Sequence, residues 1–269
     1  MQIFRANSLD LPALAPYRTL RQSDEHRTAG IFVAEGDKVV RRLLESHFGV
    51  VSLLLPERRL AELEPLIRAR AEDVPVYIVE LAELEKLTGF PFFQGVLAVG
   101  KIPRTETVAS VLSAISAPRL FVAIDGLTNS ENVGLVIRNA AAFGAHALVV
   151  DRSSASPFLR RAVRNSMGVI FKLPIVEVNA LRDALDELRR AGVRVIAAHP
   201  HTDARTIRDA DFTRDCCVVL GSEGVGISAA VLAACDEAVE IPMSHDVDSL
   251  NVGSAAAVFL YEAARQRGK

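Results

Sequence analysis

No stretch of this 269-residue chain approaches the ~18 consecutive apolar residues that a membrane span needs. The opening MQIFRANSLD has no basic region followed by an apolar one, so no signal peptide is expected. The chain has only three cysteines, Cys216, Cys217 and Cys235, without the C-x-x-C spacing of a metal or redox site. Two of them lie in an apolar run and read as buried, reduced thiols, which suits the cytoplasm; no metal is expected. An excess of basic charge is missing too. Thirty-one Lys and Arg stand against 33 Asp and Glu, a net charge of −2. That excludes a protein that coats nucleic acid non-specifically, so an RNA or DNA partner must meet a local basic patch. There is no internal repeat or low-complexity tract, and no early G-x-G-x-x-G of a dinucleotide fold.

What is present is apolar and alternating. Half of the residues are hydrophobic, enough for a sizeable core in one large or two ordinary domains. From Ile31 the pattern reads strand IFVAEG, helix DKVVRRLLES, strand VVSLLLP and helix ERRLAELEPLIRARAED, which Pro65 should kink or divide. VPVYIVE, LAELEKLTG and GVLAVGKI complete a small α/β unit over residues 1–102, which opens with a mixed polar arm over 1–28. Residues 103–118, with Pro103 and Pro118, read as a linker with a short helix. Alternation restarts with RLFVAID, ENVGLVIRNAAAFGA, HALVVD, PFLRRAVRNSMG, VIFKLPIVEV as a strand, NALRDALDELRRAG, VRVIAAHP, CCVVLGSE and AVEIPM. A last helix runs from Ser249 to about Arg267. Near-continuous apolar strands separated by helices imply a buried, mostly parallel sheet over residues 119–269, with its ligand site at the carboxyl ends of the strands.

Three polar segments fall at those ends. In the first, Asn132 lies near a helix start, where its side chain either caps the helix or serves a ligand. Arg138, six residues on in an apolar helix, either snorkels to the surface or aims its fork at a phosphate. In the second, Gly221-Ser222-Glu223-Gly224-Val225-Gly226 follows a strand, and its glycines permit close backbone approach. Glu223 there needs a partner, for which Arg138 is the candidate. In the third, Ile241 to Glu262, Ser249 and Asn251 stand where a helix begins. Ser249 is either a cap or functional, and Asn251, placed inside the first turn, is harder to explain by capping. The small run Gly253–Ala257 lets another element pack closely, such as a helix of a partner subunit.

Together the segments read N-x-G-x-x-x-R at Asn132–Arg138, G-x-E-G-x-G-[ILM]-S at Gly221–Ser228 and I-P-M…S-L-N-V at Ile241–Val252. In order and spacing they resemble the SpoU, or TrmH-like, branch of the SPOUT RNA methyltransferases. VAEGDKVVRRLLES and FFQGVLAVG are more weakly similar to the N-terminal L30e-like RNA substrate-binding domain of the larger members. The resemblance implies an α/β fold with a deep C-terminal trefoil knot, an exception to the rule against knots. It also implies a homodimer and methylation of a ribose 2′-hydroxyl from S-adenosylmethionine. Carried over, Gly221, Ile241 and Leu250 contact the cofactor through backbone groups. Asn132, Arg138, Glu223, Ser249 and Asn251 occupy the catalytic positions. One departure is the turn before the first motif, Gly126-Leu127-Thr128-Asn129-Ser130-Glu131, where the family has a D-P-G-N-like turn.

A guanidinium ionised above pH ~12 is a costly base, so Arg138 is read as a positioning and electrostatic group, with Glu223 orienting it. The RNA surface is expected on Arg160, Arg161 and Arg164, which share a helix face, and on Arg18, Arg21 and Arg27 of the N-terminal arm. An extra N-terminal domain points to a large structured RNA, rRNA ahead of tRNA. A non-catalytic RNA-binding protein on the same fold would have lost the motif polar residues. A nicotinamide oxidoreductase would place its glycine-rich loop early.

Overall fold

The computed structural model describes residues 1–6, 8–20, 23–88, 95–200, 205–244 and 247–269. Arg21 and residues 92–94 of the FFQGVLAVG stretch lie outside them. The strands are β1 Gln2–Arg5, β2 Ile31–Glu35, β3 Val50–Leu55, β4 Pro75–Ile78, β5 Leu97–Lys101, β6 Leu120–Asp125, β7 Ala147–Asp151, β8 Ile175–Val178, β9 Arg194–Ala198, β10 Cys216–Gly221 and β11 Glu237–Val239. The helices are α1 Ala15–Arg18, α2 Ser23–Thr28, α3 Asp37–Leu44, α4 Glu57–Arg68, α5 Leu81–Thr88, α6 Val108–Ala114, α7 Ser130–Ala142, α8 Arg160–Asn165, α9 Leu181–Arg190, α10 Ala229–Leu232 and α11 Val252–Gln266. No helix among the described residues is long and apolar enough to cross a membrane.

The chain forms two compact units, Met1–Arg104 with Phe158–Phe171, and Thr105–Pro157 with Lys172–Lys269. The first is built on a mixed sheet in the order β1-β4-β3-β5-β2. Its strand β1 falls in the polar arm, where all four residues are exposed and no alternation marks it. Helix α4 runs unbroken through Pro65. Pro65 and Ala61 both face solvent, so water satisfies the carbonyl that the missing N–H leaves open.

Phe158–Phe171, expected to stay with the later strands, packs into this first unit because its aromatic rings find partners there. Phe32 stacks on Phe171 with centroids 5.5 Å apart and meets Phe158 at 5.8 Å. Beneath that cluster Gly100 is obligatory, because an added Cβ would lie 2.3 Å from Phe32 Cζ. The stretch VIFKLPIVEV is accordingly not one strand. Val169–Phe171 is a 3-10 turn serving the cluster, and β8 begins only after Pro174.

The second unit carries six parallel strands in the order β11-β9-β10-β6-β7-β8. The connections run outward from β6 in one direction and from β10 in the other. The switch point therefore lies between β6 and β10, the place where open α/β sheets hold ligands. Every residue of β6 and β7 is buried, which is why both read as unbroken apolar runs. The core on one face joins Phe121, Val149, Leu185, Val195, Cys217 and Val219. Burial pushes the Cys216 thiol up to about 11 and Cys235 up to about 12, so neither is a reactive thiolate.

Candidate active site

A cleft of about 450 Å³ opens at the carboxyl ends of β9, β10 and β11. Its walls come from His199, the hairpin Gly221–Ile227, Ile241, Met243, the loop Asp248–Asn251 and Phe259. The hairpin is tight: Ser222 and Gly226 exchange backbone bonds of 3.1 and 2.9 Å, and Gly226 sits at φ +74. Gly221 lies so close to Gly226 that a Cβ would meet its carbonyl carbon at 2.2 Å. At the base of this hairpin the buried Asp125 carboxylate accepts the Ser228 N–H at 2.7 Å. Asp125 follows an apolar run and ends a strand, the signal by which sequence alone finds it.

The three motifs meet through their amides. Asn251 accepts the Gly253 N–H on Oδ1 at 2.9 Å, so its Nδ2 turns outward and donates to Asn132 Oδ1 at 3.2 Å. Asn132 Nδ2 then donates to Glu223 Oε1. Each amide is fixed by the one before it, and Glu223 Oε2 has no partner among the described residues. Asn251 is therefore both the N-cap of α11 and a link in the site, contrary to the expectation that capping does not explain it. Helix α11 starts after it, at Val252 rather than Ser249. Ser249 and Leu250 lie exposed on the cleft wall. Asn132 does not cap α7; Asn129 does, accepting the Glu131 N–H at 2.9 Å. The unusual turn thus keeps a good cap, and Asn132, two residues beyond the first helical position, points into the protein.

Arg138 does not join this group. At 3.6 residues per turn it lies about 240° round α7 from Asn132. Its side chain is exposed and has no partner among the described residues. The expected Arg138–Glu223 pair is absent because Asn132 holds Glu223 instead. The packed helices α7 and α11 also expose apolar side chains, Leu135 on the first and Val258 and Tyr261 on the second, the last 58% exposed. The small residues of α11 pack against α7 of the same chain rather than needing another subunit. Gly253 sits under Leu135, and its carbonyl accepts from Asn139 Nδ2 at 2.7 Å.

The expected RNA-facing arginines belong to the first unit. Arg160 and Arg164 do share a face, but both are paired to one buried carboxylate, with Arg160 itself largely buried and Arg164 partly exposed. Arg160 Nη1 donates to Glu35 Oε2 and Arg164 Nη1 to Glu35 Oε1 at 3.1 Å, with the Glu35 side chain only 4% exposed. Replacing Glu35 with Gln leaves a buried guanidinium without its counter-charge. The expected loss is about 3 kcal/mol, read by chemical denaturation followed by circular dichroism. Reversing Arg160 would consequently report on folding rather than on RNA. Arg18, Arg27 and Arg161 are exposed, and Arg18 donates to the Leu9 carbonyl at 2.8 Å. Among the described residues no His, Cys, Asp and Glu group forms a metal site.

A parallel α/β unit with a glycine hairpin and converging amides at its switch point is the architecture of a protein that binds a nucleotide-like ligand or cofactor. Residues 119–261, over half of the chain, match the model of the SpoU rRNA Methylase family. A protein of Mycobacterium tuberculosis named an uncharacterized tRNA/rRNA methyltransferase is 34% identical over 264 residues, covering 95% of this chain and 90% of that one. The SpoU methyltransferase AviRb from Streptomyces viridochromogenes, solved with the cofactor AdoMet, is 30% identical at a TM-score of 0.79, over 95% and 97% of the two chains. A solved RNA 2′-O ribose methyltransferase is 27% identical at a TM-score of 0.80, over 99% and 100%. The chain belongs to the SpoU rRNA Methylase family, RNA methyltransferases that use S-adenosylmethionine.

Proposed function

We propose that this protein methylates a ribose 2′-hydroxyl of a structured RNA, rRNA ahead of tRNA, with S-adenosylmethionine as donor. The observation that carries the reading is the run Asn251–Asn132–Glu223, which ties together a side chain from each of the three motifs, two of them, Glu223 and Asn251, on the wall of one glycine-floored cleft. The cleft fits the cofactor. Its volume lies within the ~300–1,000 Å³ of small-molecule sites, and it combines apolar walls from Leu220, Ile241 and Phe259 with open backbone at Gly221 and Leu250. When bound, the cofactor supplies a methyl carbon on a sulfonium, so that an O2′–C bond forms as the S–C bond breaks and the hydroxyl proton leaves. The chain's own residues align that displacement. Gly221, Ile241 and Leu250 hold the donor through backbone groups. The free Glu223 Oε2 and the Ser249 hydroxyl are placed to hold the ribose, while Asn132 and Asn251 keep Glu223 oriented. Arg138 grips the phosphate as a guanidinium that stays protonated, and the hydroxyl proton passes to the Glu223 carboxylate or to water.

Because Arg138 is exposed and does not line its own cleft, and α7 and α11 expose Leu135, Val258 and Tyr261, we propose a homodimer in which Arg138 completes the partner's site. In this reading residues 1–102, joined by Phe158–Phe171, are an L30e-like RNA-binding domain, and residues 119–269 apart from that segment are the catalytic domain, knotted as the family resemblance implies. The stretch 103–118, expected to be a linker, instead packs Val108 and Val111 of α6 into the catalytic core. Buried thiols and the absence of long apolar helices among the described residues are in keeping with a cytoplasmic enzyme. Calorimetry tests the cofactor assignment: S-adenosylhomocysteine binds one per chain and NAD does not. Labelled-methyl transfer to rRNA but not tRNA supports the substrate. Transfer only to tRNA shifts the assignment to that RNA, and binding of NAD instead would sink the reading.

A further inference from the structure

At the end of β7, beside the catalytic strand β6, lies a buried carboxylate that the mechanism above does not use. Asp151 is 9% exposed. Its Oδ1 accepts the Gly126 N–H at 3.2 Å and the Ser154 N–H at 3.2 Å, and also the Ser154 hydroxyl. Its Oδ2 accepts the Ser153 N–H at 3.1 Å and the Ser153 hydroxyl. The second layer is equally specific. Ser154 Oγ accepts the Leu127 N–H at 2.9 Å, and the Leu127 carbonyl accepts the Ala155 N–H at 2.8 Å. The turn Gly126–Asn129 is thus sewn to residues 151–155 at two successive residues. Burial pushes the Asp151 carboxyl up, but the bonds from Ser153, Ser154 and the Gly126 N–H outweigh it and hold the group below its ordinary value. It stays charged throughout the working range.

This turn occupies a particular place. It begins one residue after Asp125, which is in register with Gly221 on the neighbouring strand and holds the cofactor hairpin through Ser228. It ends at Asn129, the cap of α7, the helix that bears Asn132 and Arg138. Between these points Thr128 and Asn129 are exposed. Gly126 takes φ +65, a conformation that glycine adopts freely and an L side chain does not, and its N–H is held there by Asp151. A core needs no such polar anchor at a strand end. A lip that must meet a large ligand without collapsing does.

We propose that Asp151 is a positioning residue for RNA: it presets the Gly126–Asn129 lip against which the substrate nucleotide docks, acting on RNA engagement and not on cofactor binding. The proposal rests on the methyltransferase reading of the cleft. Asp151→Ala removes the whole anchor, Asp151→Asn keeps one acceptor oxygen, and Ser154→Ala removes only the tie to Leu127. Steady-state methyl transfer is measured with each, alongside calorimetry with S-adenosylhomocysteine and a thermal melt. The expected result is a rise in KM for RNA of about tenfold or more for Asp151→Ala, as for loss of a charge-assisted hydrogen-bond anchor. The rise should be smaller for the other two, with kcat and cofactor affinity held within about twofold, a margin worth under half a kcal/mol. The idea is overturned if KM is unchanged in Asp151→Ala, or if cofactor affinity falls in step with it, the mark of a merely structural residue. A wild-type protein that transfers no methyl group to any RNA refutes the function itself. An active wild type with unaffected variants refutes only the role of Asp151.

Discussion

Replacing Arg138 with Ala should lower methyl transfer by about 10²–10³-fold, the scale seen when a preorganised charge-stabilising donor is removed. Affinity for S-adenosylhomocysteine should stay within about twofold, under half a kcal/mol. The fold has little to lose, since the side chain is exposed and makes no contact with a protein partner among the described residues. An exposed Arg on an otherwise apolar helix, with Leu135 beside it, is a group held in readiness for something outside the protomer. Arg138→Lys should recover only part of the rate, because an ammonium keeps the charge but not the two-pronged geometry that matches a phosphate. The helical phase of Arg138 adds a sharper consequence. Arg138→Ala and Glu223→Ala should each be inactive alone. Mixed together, they should regain up to about a quarter of the wild-type rate, the share of intact sites expected from random pairing in a two-fold dimer. Complementation at zero would leave Arg138 serving its own protomer or none.

Gly221→Ala is the second large effect. The new Cβ would stand 2.2 Å from Gly226 C and 2.3 Å from Ile227 N, both backbone atoms on a hairpin closed by its own hydrogen bonds. Neither can rotate aside, so the hairpin must open. Overpacking of this kind costs about 1–3 kcal/mol, which at a cofactor floor becomes about a tenfold to hundredfold loss of affinity. Gly224, at the tip of the same hairpin, has nothing within 4 Å of its would-be Cβ and no positive φ. Gly224→Ala should therefore bind S-adenosylhomocysteine like the wild type. Equal losses in the two variants would mean that the glycines serve flexibility rather than close approach.

The parallel sheet was legible because its strands are buried on both faces and their apolar runs need no register to be recognised. The cleft was legible because strand-end polar clusters have no place in a core. What sequence could not supply was direction. Arg138 and Asn132 are six residues apart on one helix, and only the position of α11 decides which of them faces Glu223. The assignment of the α11 cap failed for a related reason. Ser249 and Asn251 are both good caps, and the choice is made by the Asn132 amide, 119 residues away, which needs the donor that Asn251 alone can turn outward. Of the α8 arginines, Arg160 and Arg164 meet on one carboxylate rather than waiting for RNA. Their partner Glu35 lies 125 residues earlier, on a strand whose carboxylate gives no local sign of its burial. Strand β1 carried no apolar period at all, since an exposed edge needs none.

The most direct test of the central claim is the chemical position of the transferred methyl group. The protein is incubated with methyl-labelled S-adenosylmethionine and unmodified rRNA, and the product is hydrolysed with alkali. A 2′-O-methyl ribose cannot form the cyclic phosphate, so the label should appear in an alkali-resistant dinucleotide. Label released in mononucleotides, with the methyl group on a base, would contradict the account.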